Sequence, residues 1–255
     1  MYASAWGSPR RTSASPRSSG PSGRSWAEVL VVTVDGPSGA GKTSLSRRLA
    51  AALGFAFLDT GALYRAVALA CREGGPDPAD EAAVAHWVAG VAVEARPQAG
   101  RFLVTLEGRD VEPFIRNEEI GGLASRLSAQ AAVRKRLLGL QQAAGRAGDL
   151  VAEGRDMGTV VFPGAEVKFF LTATDAERAQ RRWRELSPTR PELSLAEVAR
   201  DMAARDERDA HRAVAPLAPA PDARVVDTTG LGLDQALALL LAVVRERQGK
   251  SATQG

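Results

Sequence analysis

Apolar residues along this chain fall into two kinds of pattern, and the pattern switches several times. Val29-Leu30-Val31-Val32-Thr33-Val34 is an unbroken run of the kind buried on both faces in a parallel sheet. Leu45, Leu49 and Leu53 then recur at helical spacing and Gly54 follows as a stop, which predicts a helix of about three turns. Phe55-Ala56-Phe57-Leu58 reads as a second short strand, and Thr60-Gly61 opens a helix that runs through Tyr64 and Ala70 until Gly74-Gly75-Pro76-Asp77-Pro78 breaks it. After a further helix over 79–90, Val91 to Glu94 and Arg101 to Glu107 alternate with period two around a Pro97-Gln98-Ala99-Gly100 turn. Helices resume over 118–146, with a weak point at Ser128 to Ala132, where large apolar residues are missing. Strands follow at 150–152, 167–171 and 224–226. Helices over 175–185, 194–213 and 233–247 fill the remainder.

Strand and helix alternating in this way predict an α/β fold: a parallel five-stranded sheet covered by helices, with a small antiparallel excursion inserted near residue 100. Ligands then belong at the C-terminal ends of the strands.

The first of those ends carries the most specific motif in the chain. Gly36-Pro37-Ser38-Gly39-Ala40-Gly41-Lys42-Thr43 stands between the first strand and the first helix, in the context that a phosphate-binding loop requires. Its glycines let consecutive N–H groups curl around a polyphosphate. Lys42 adds a point charge for the outer phosphates, and the positive end of the helix faces the same anion. Thr43 offers a hydroxyl to Mg²⁺, as does the adjacent Ser44. The motif implies a nucleoside triphosphate ligand.

Charge and composition narrow the partners. The formal net charge is +3, but Arg10, Arg11, Arg17 and Arg24 lie in a stretch, 1–27, without an acidic residue; setting these four aside leaves about −1. The rest is therefore not a basic protein, and nothing calls for nucleic acid. Residues 1–27 are rich in Ser, Pro, Gly and Arg and read as a disordered tail, or as a start codon set too early, rather than as a transit peptide. No segment approaches the roughly 20 apolar residues that span a bilayer. The single cysteine, Cys71, sits in an apolar stretch and is expected to be a core residue, in keeping with a cytoplasmic protein.

Three charged clusters fall where such a fold gathers a site. Thr60-Gly61-Ala62-Leu63-Tyr64-Arg65 follows the second strand, and Glu153-Gly154-Arg155-Asp156-Met157-Gly158 follows the strand at 150–152. In the helix over 194–213, spacings of four and three put Arg205, Asp209 and Arg212 on one stripe. Any one such run is usually a solvated face, but three of them beside a phosphate loop point to a second phosphate held in line with the first. An acceptor that is itself a phosphate already carries an anionic oxygen and needs no general base. His86 and His211 are accordingly expected to be structural or solvated.

Together these segments resemble the bacterial cytidylate kinases, a family of nucleoside monophosphate kinases. The likeness runs from about Val31 to Leu231 and rests on Asp35 to Lys42, Leu58 to Arg65, Gly154 to Pro163, Glu177 to Arg182 and Arg205 to Leu217. It implies ATP-dependent phosphorylation of CMP and dCMP; composition adds the expectation of a cytoplasmic protein without nucleic-acid or membrane partners, and nothing in the sequence demands more than a monomer. It also implies a core at 28–75 and 148–248, a monophosphate-binding region at about 76–147 and a lid at about 178–193. Gly36 to Ser44 would hold ATP, with Thr43 as the Mg²⁺ ligand. Lys42, Arg155, Arg182 and Arg212 would be catalytic, and Arg178 and Arg181 would belong with Arg182 to the lid. Arg65, Arg155 and Arg212 would hold the CMP phosphate, Tyr64, Arg205 and Asp209 the ribose, and Ser125, Arg134 and Asp156 the base, with Thr60 in the same pocket. Glu153 stands where an Asp is common and would act, at most, as an outer-sphere partner of the metal.

Two other readings are open to this motif set. A GTPase-like switch would need an Asn/Thr-Lys-x-Asp segment after a late strand, and Thr172-Ala173-Thr174-Asp175 lacks the lysine. An adenylate or shikimate kinase shares the phosphate loop and differs at the residues that read the acceptor.

Overall fold

The structure is a computed structural model and describes residues 29–252; the expected tail over 1–27 lies outside them. At its centre is β1 (Val31–Asp35), whose β-branched residues suit a strand buried on both faces. It pairs in parallel with β6 (Leu150–Glu153) on one side and β7 (Val167–Thr172) on the other, with Val32 beside both Val151 and Val167. β2 (Ala56–Asp59) adds to β6 and β8 (Arg224–Asp227) to β7, so five strands run parallel in the order β2-β6-β1-β7-β8.

The inserted excursion joins this sheet instead of standing apart. β3 (Val93–Gln98) and β4 (Arg101–Leu106) form an antiparallel hairpin, and β4 also lies parallel to β2, with Arg101 beside Phe57. A short β5 (Arg109–Asp110) returns along β4, making an eight-stranded sheet among the described residues. The expected four-residue turn shrinks to Ala99-Gly100, because β3 continues through Pro97 and Gln98. Both turn residues have positive φ, 45° and 76°, as a two-residue type I′ turn requires. Glu107-Gly108 repeats the device before β5, with φ of 52° and 77°.

Helices cover both faces. On one side α2 (Thr60–Gly74), α3 (Glu81–Val88), α4 (Glu118–Leu127) and α5 (Ala131–Arg146) bury Leu63, Val67, Leu69, Ile120, Leu127 and Leu137 against β3 and β4. On the other, α1 (Lys42–Leu53) and α8 (Leu233–Ala252) bury Leu45, Leu49, Leu240 and Val244 against β1 and β7. Each fully buried side chain of this size contributes about 1.5–3 kcal/mol relative to exposure. α6 (Asp175–Leu186) and α7 (Leu195–His211) have a small core of their own, Ala179, Val198 and Met202 with Trp183 against it.

α7 stops at His211, so Arg212 lies beyond its end with an extended backbone (ψ 140°) rather than on the expected helical stripe. A turn of π-helix over Met157–Val161 follows β6, and no feature of the sequence pattern announces it.

Candidate active site

The parallel register brings the ends of β1, β2 and β6 level and sets three carboxylates, Asp35, Asp59 and Glu153, beneath one cleft. Asp59 caps α2 by accepting from the Ala62 N–H at 3.1 Å and pairs with Arg116 at 2.7 Å. Asp35 accepts from the Met157 and Gly158 N–H groups at 2.9 and 2.8 Å and so anchors the π-helical turn; burial pushes its pKa up to about 6. Glu153 accepts from the Thr43 hydroxyl at 2.7 Å, its Oε2 is buried without a hydrogen-bond partner, and burial raises its pKa.

The loop between β1 and α1 follows from its glycines. Gly36 has φ +142°, and a Cβ there would strike the Leu171 carbonyl oxygen. Gly41 caps α1 from the left-handed region (φ 82°) with no side chain on the helix's first N–H groups and no acid in its first turn, leaving that positive terminus for an anion. Lys42 folds back to donate to the Pro37 carbonyl at 2.6 Å. Burial, then the Arg155 guanidinium, lowers its pKa to about 7.

The cleft in front of the loop is open at its mouth and is lined by Ser38, Gly39, Gly41, Lys42, Thr43 and Ser44. Gly36, Pro37 and Ala40 are not among the residues that line it. Thr60, Tyr64, Arg65, Ser125, Arg134, Arg155, Asp156, Arg182, Arg205, Asp209 and Arg212 all line the same cleft.

Their partners divide them into groups. Arg134 and Asp156, both almost fully buried, form a direct ion pair, with Arg212 at 3.8 Å from the other Asp156 oxygen. The Arg134 guanidinium lies over the Tyr64 ring, 5.7 Å from its centre. Burial raises the Asp156 pKa, against the pull of Arg134 and Arg212. Arg155 donates to Asp209 at 3.0 Å, and Thr60 donates to the Glu153 carbonyl at 2.6 Å. Arg205 Nε and Arg212 Nη2 lack hydrogen-bond partners; burial lowers the pKa of both guanidiniums, that of Arg205 to about 10. Burial does the same to Arg65. Arg182, half-exposed on α6, pairs with Glu118 at the start of α4 and with Glu185.

The cleft wall also holds Asp59, Gly61, Ala124, Ser128, Gly154 and Glu185, to which the sequence analysis gave no individual role. Asp59 was legible as an N-cap before Thr60, but its place beneath the cleft follows from the strand register. The two histidines stay outside the cleft wall; His211 is exposed and pairs with Glu207. Cys71 is buried and free. Among the described residues no three His, Cys, Asp or Glu side chains gather as a metal cluster, and no helix is long and apolar enough to cross a membrane.

A glycine loop between a central parallel strand and a helix, facing a cleft fenced with arginines, defines a P-loop fold built for phosphoryl transfer between two anions. The family model described as Cytidylate kinase matches residues 32–246. The chain is 47% identical to the cytidylate kinase of Syntrophotalea carbinolica over 219 residues, covering 86% of this chain and 93% of that protein. It is 47% identical to that of Saccharophagus degradans over 220 residues, at 86% and 98% coverage. Against that of Nitratidesulfovibrio vulgaris, strain Hildenborough, the identity is 46% over 223 residues, at 88% and 96%. This chain belongs to the cytidylate kinase family.

Proposed function

We propose that this protein transfers the γ-phosphoryl group of ATP to CMP and dCMP, giving ADP and CDP or dCDP. The observation that carries the choice of acceptor is the buried Asp156–Arg134 pair in the cleft that also holds the phosphate loop. Cytosine presents an amino donor beside two acceptors, which a carboxylate and a guanidinium complement; uracil reverses the first two positions and meets the carboxylate with a carbonyl oxygen. Ser125 completes the base site, Asp209, Arg205 and Tyr64 hold the ribose, and Arg65, Arg155 and Arg212 hold the monophosphate.

An oxygen of the CMP phosphate attacks the γ-phosphorus, the new P–O bond forms, and the bond to the β–γ bridging oxygen breaks with its electron pair leaving on ADP. The nucleophile is already an anion, so the residues supply position and charge: Lys42 at the outer phosphates, Arg155 and Arg212 on the acceptor, and Arg182 from the lid over about 178–193. Closure of that lid excludes water as a competing acceptor.

The residues fit a Mg²⁺ ion carried with the triphosphate. Thr43 would ligate it, and Glu153, with one oxygen on the Thr43 hydroxyl and the other unpartnered, would hold a water in its outer shell. When bound, the ion neutralises charge on the β- and γ-phosphates. The reading includes a cytoplasmic monomer; the free, buried Cys71 supports a reducing compartment. Coupled measurement of ADP formation with CMP, dCMP, UMP, AMP and shikimate tests it: the cytidine nucleotides should lead in kcat/KM, and a lead by AMP or shikimate would overturn it.

A further inference from the structure

Arg178 belongs by position to the lid arginines, yet its guanidinium turns inward. Its side chain is 8% exposed, against 31% for Arg182 one turn further along α6. Nη1 donates to the Ser38 carbonyl at 2.9 Å and to Asp206, Nη2 donates to Asp175 at 2.5 Å, and Nε donates to the Ala173 carbonyl at 3.3 Å. Asp206, on α7, closes the circuit by accepting from the Ser38 N–H at 3.4 Å. The next loop residue, Gly39, has φ +74° and packs so tightly that a Cβ would come within 2.8 Å of both the Arg178 carbonyl oxygen and the Met202 side chain.

Resting on the kinase reading above, we propose that Asp206 and Arg178 are positioning residues of the phosphate loop: together they clamp Ser38 and aim the N–H groups that follow it at the triphosphate. Ser38 N and Ser38 O belong to the two peptide planes on either side of one residue, and holding both leaves the chain one path into Gly39. Neither head group bonds to the acceptor-reading residues Arg134 and Asp156, and neither residue lines the substrate cleft. Loosening the clamp should therefore harm the ATP side of the reaction selectively. Because Arg178 stands on α6 and Asp206 on α7, the same pair ties the loop's shape to the helices on either side of 187–194.

The test compares the parent with Asp206→Ala, Asp206→Asn and Arg178→Lys, measuring KM for ATP, KM for CMP, kcat, the thermal midpoint, and the Kd of a fluorescent non-hydrolysable ATP analogue. A misplacement of about 1 Å costs on the order of 10²-fold, so kcat/KM for ATP should fall about 10- to 100-fold in Asp206→Ala, with KM for CMP within about twofold of the parent. Asp206→Asn keeps an acceptor for the Ser38 N–H while losing the ion pair, and should fall between the two; it also serves if the alanine variant does not fold. Folded variants that keep parental kcat/KM for ATP, or that raise both KM values equally, would overturn the clamp. The analogue's Kd separates this from failure of the kinase reading: about tenfold weaker binding in the variants upholds the clamp even if CMP is not the acceptor, and unchanged binding refutes it.

Discussion

Replacing Asp156 with asparagine keeps the volume of a side chain that is 3% exposed and removes only its charge. The carboxylate lies against Arg134, with Arg212 3.8 Å away. A hydrogen bond to a charged acceptor contributes about 1.5–3 kcal/mol and a neutral one about 1. The cytosine amino group should thus lose about 1–2 kcal/mol of binding in the transition state, roughly 5- to 30-fold in kcat/KM for CMP. UMP moves the opposite way, because the repulsion between carboxylate and uracil carbonyl is gone and the amide can donate to that oxygen. Together the CMP/UMP ratio should contract on the order of 10²-fold. Coupled ADP assays with each nucleotide varied at saturating ATP read the ratio directly, and a thermal melt run alongside reports the cost of leaving Arg134 and Arg212 short of a counter-charge, up to about 3 kcal/mol. If both nucleotides lost activity by the same factor, Asp156 would not be reading the base.

Other consequences concern the loop. Lys42→Met should depress kcat by on the order of 10²- to 10³-fold in the coupled assay; parental turnover would remove Lys42 from catalysis. The same variant tests a pH effect: with the Lys42 pKa at about 7 folded against 10.5 unfolded, the folded state binds fewer protons between those values, so stability rises with pH across that window. Urea midpoints at pH 7 and pH 9 should show a rise in the parent, at most about 1.4 kcal/mol per pH unit from this group, that Lys42→Met lacks; equal slopes would refute the burial argument. A bound triphosphate restores the proton, so calorimetry near pH 8 in buffers of different ionisation enthalpy should reveal uptake approaching one proton per nucleotide, and no buffer dependence would contradict this. Gly36→Ala drives a Cβ into the Leu171 carbonyl at φ +142° and should destabilise by about 3 kcal/mol or more in urea unfolding; a loss below about 1 kcal/mol would mean that the loop can shift aside.

The loop and the five parallel strands were legible because each rests on local chemistry: glycines at set spacing, β-branched runs, helix stops. What escaped is decided between segments. The union of β4 with β2 rests on a single residue pair beside the Gly100 turn, and nothing in the alternation of 101–107 distinguishes a free hairpin from one docked on a sheet. The two type I′ turns each begin with a non-glycine at positive φ, Ala99 and Glu107, which hides the turn type in the sequence; the second turn and β5 were not expected. The helix expected over 194–213 ends at His211; Arg212 still reaches Asp156, because the extended backbone at the helix end turns it into the cleft. Arg178 and Arg182 look alike at helical spacing, and their opposite surroundings come from Ser38 and Asp206 in one case and Glu118 in the other.

The most direct test of the account is to follow the transferred group itself. Incubating the protein with Mg²⁺, CMP and ATP labelled in the γ-phosphate, and resolving products by chromatography at early times, should place the label in CDP at the rate of ADP formation. Label recovered only as inorganic phosphate, or retained on the protein, would contradict direct transfer from one nucleotide to the other.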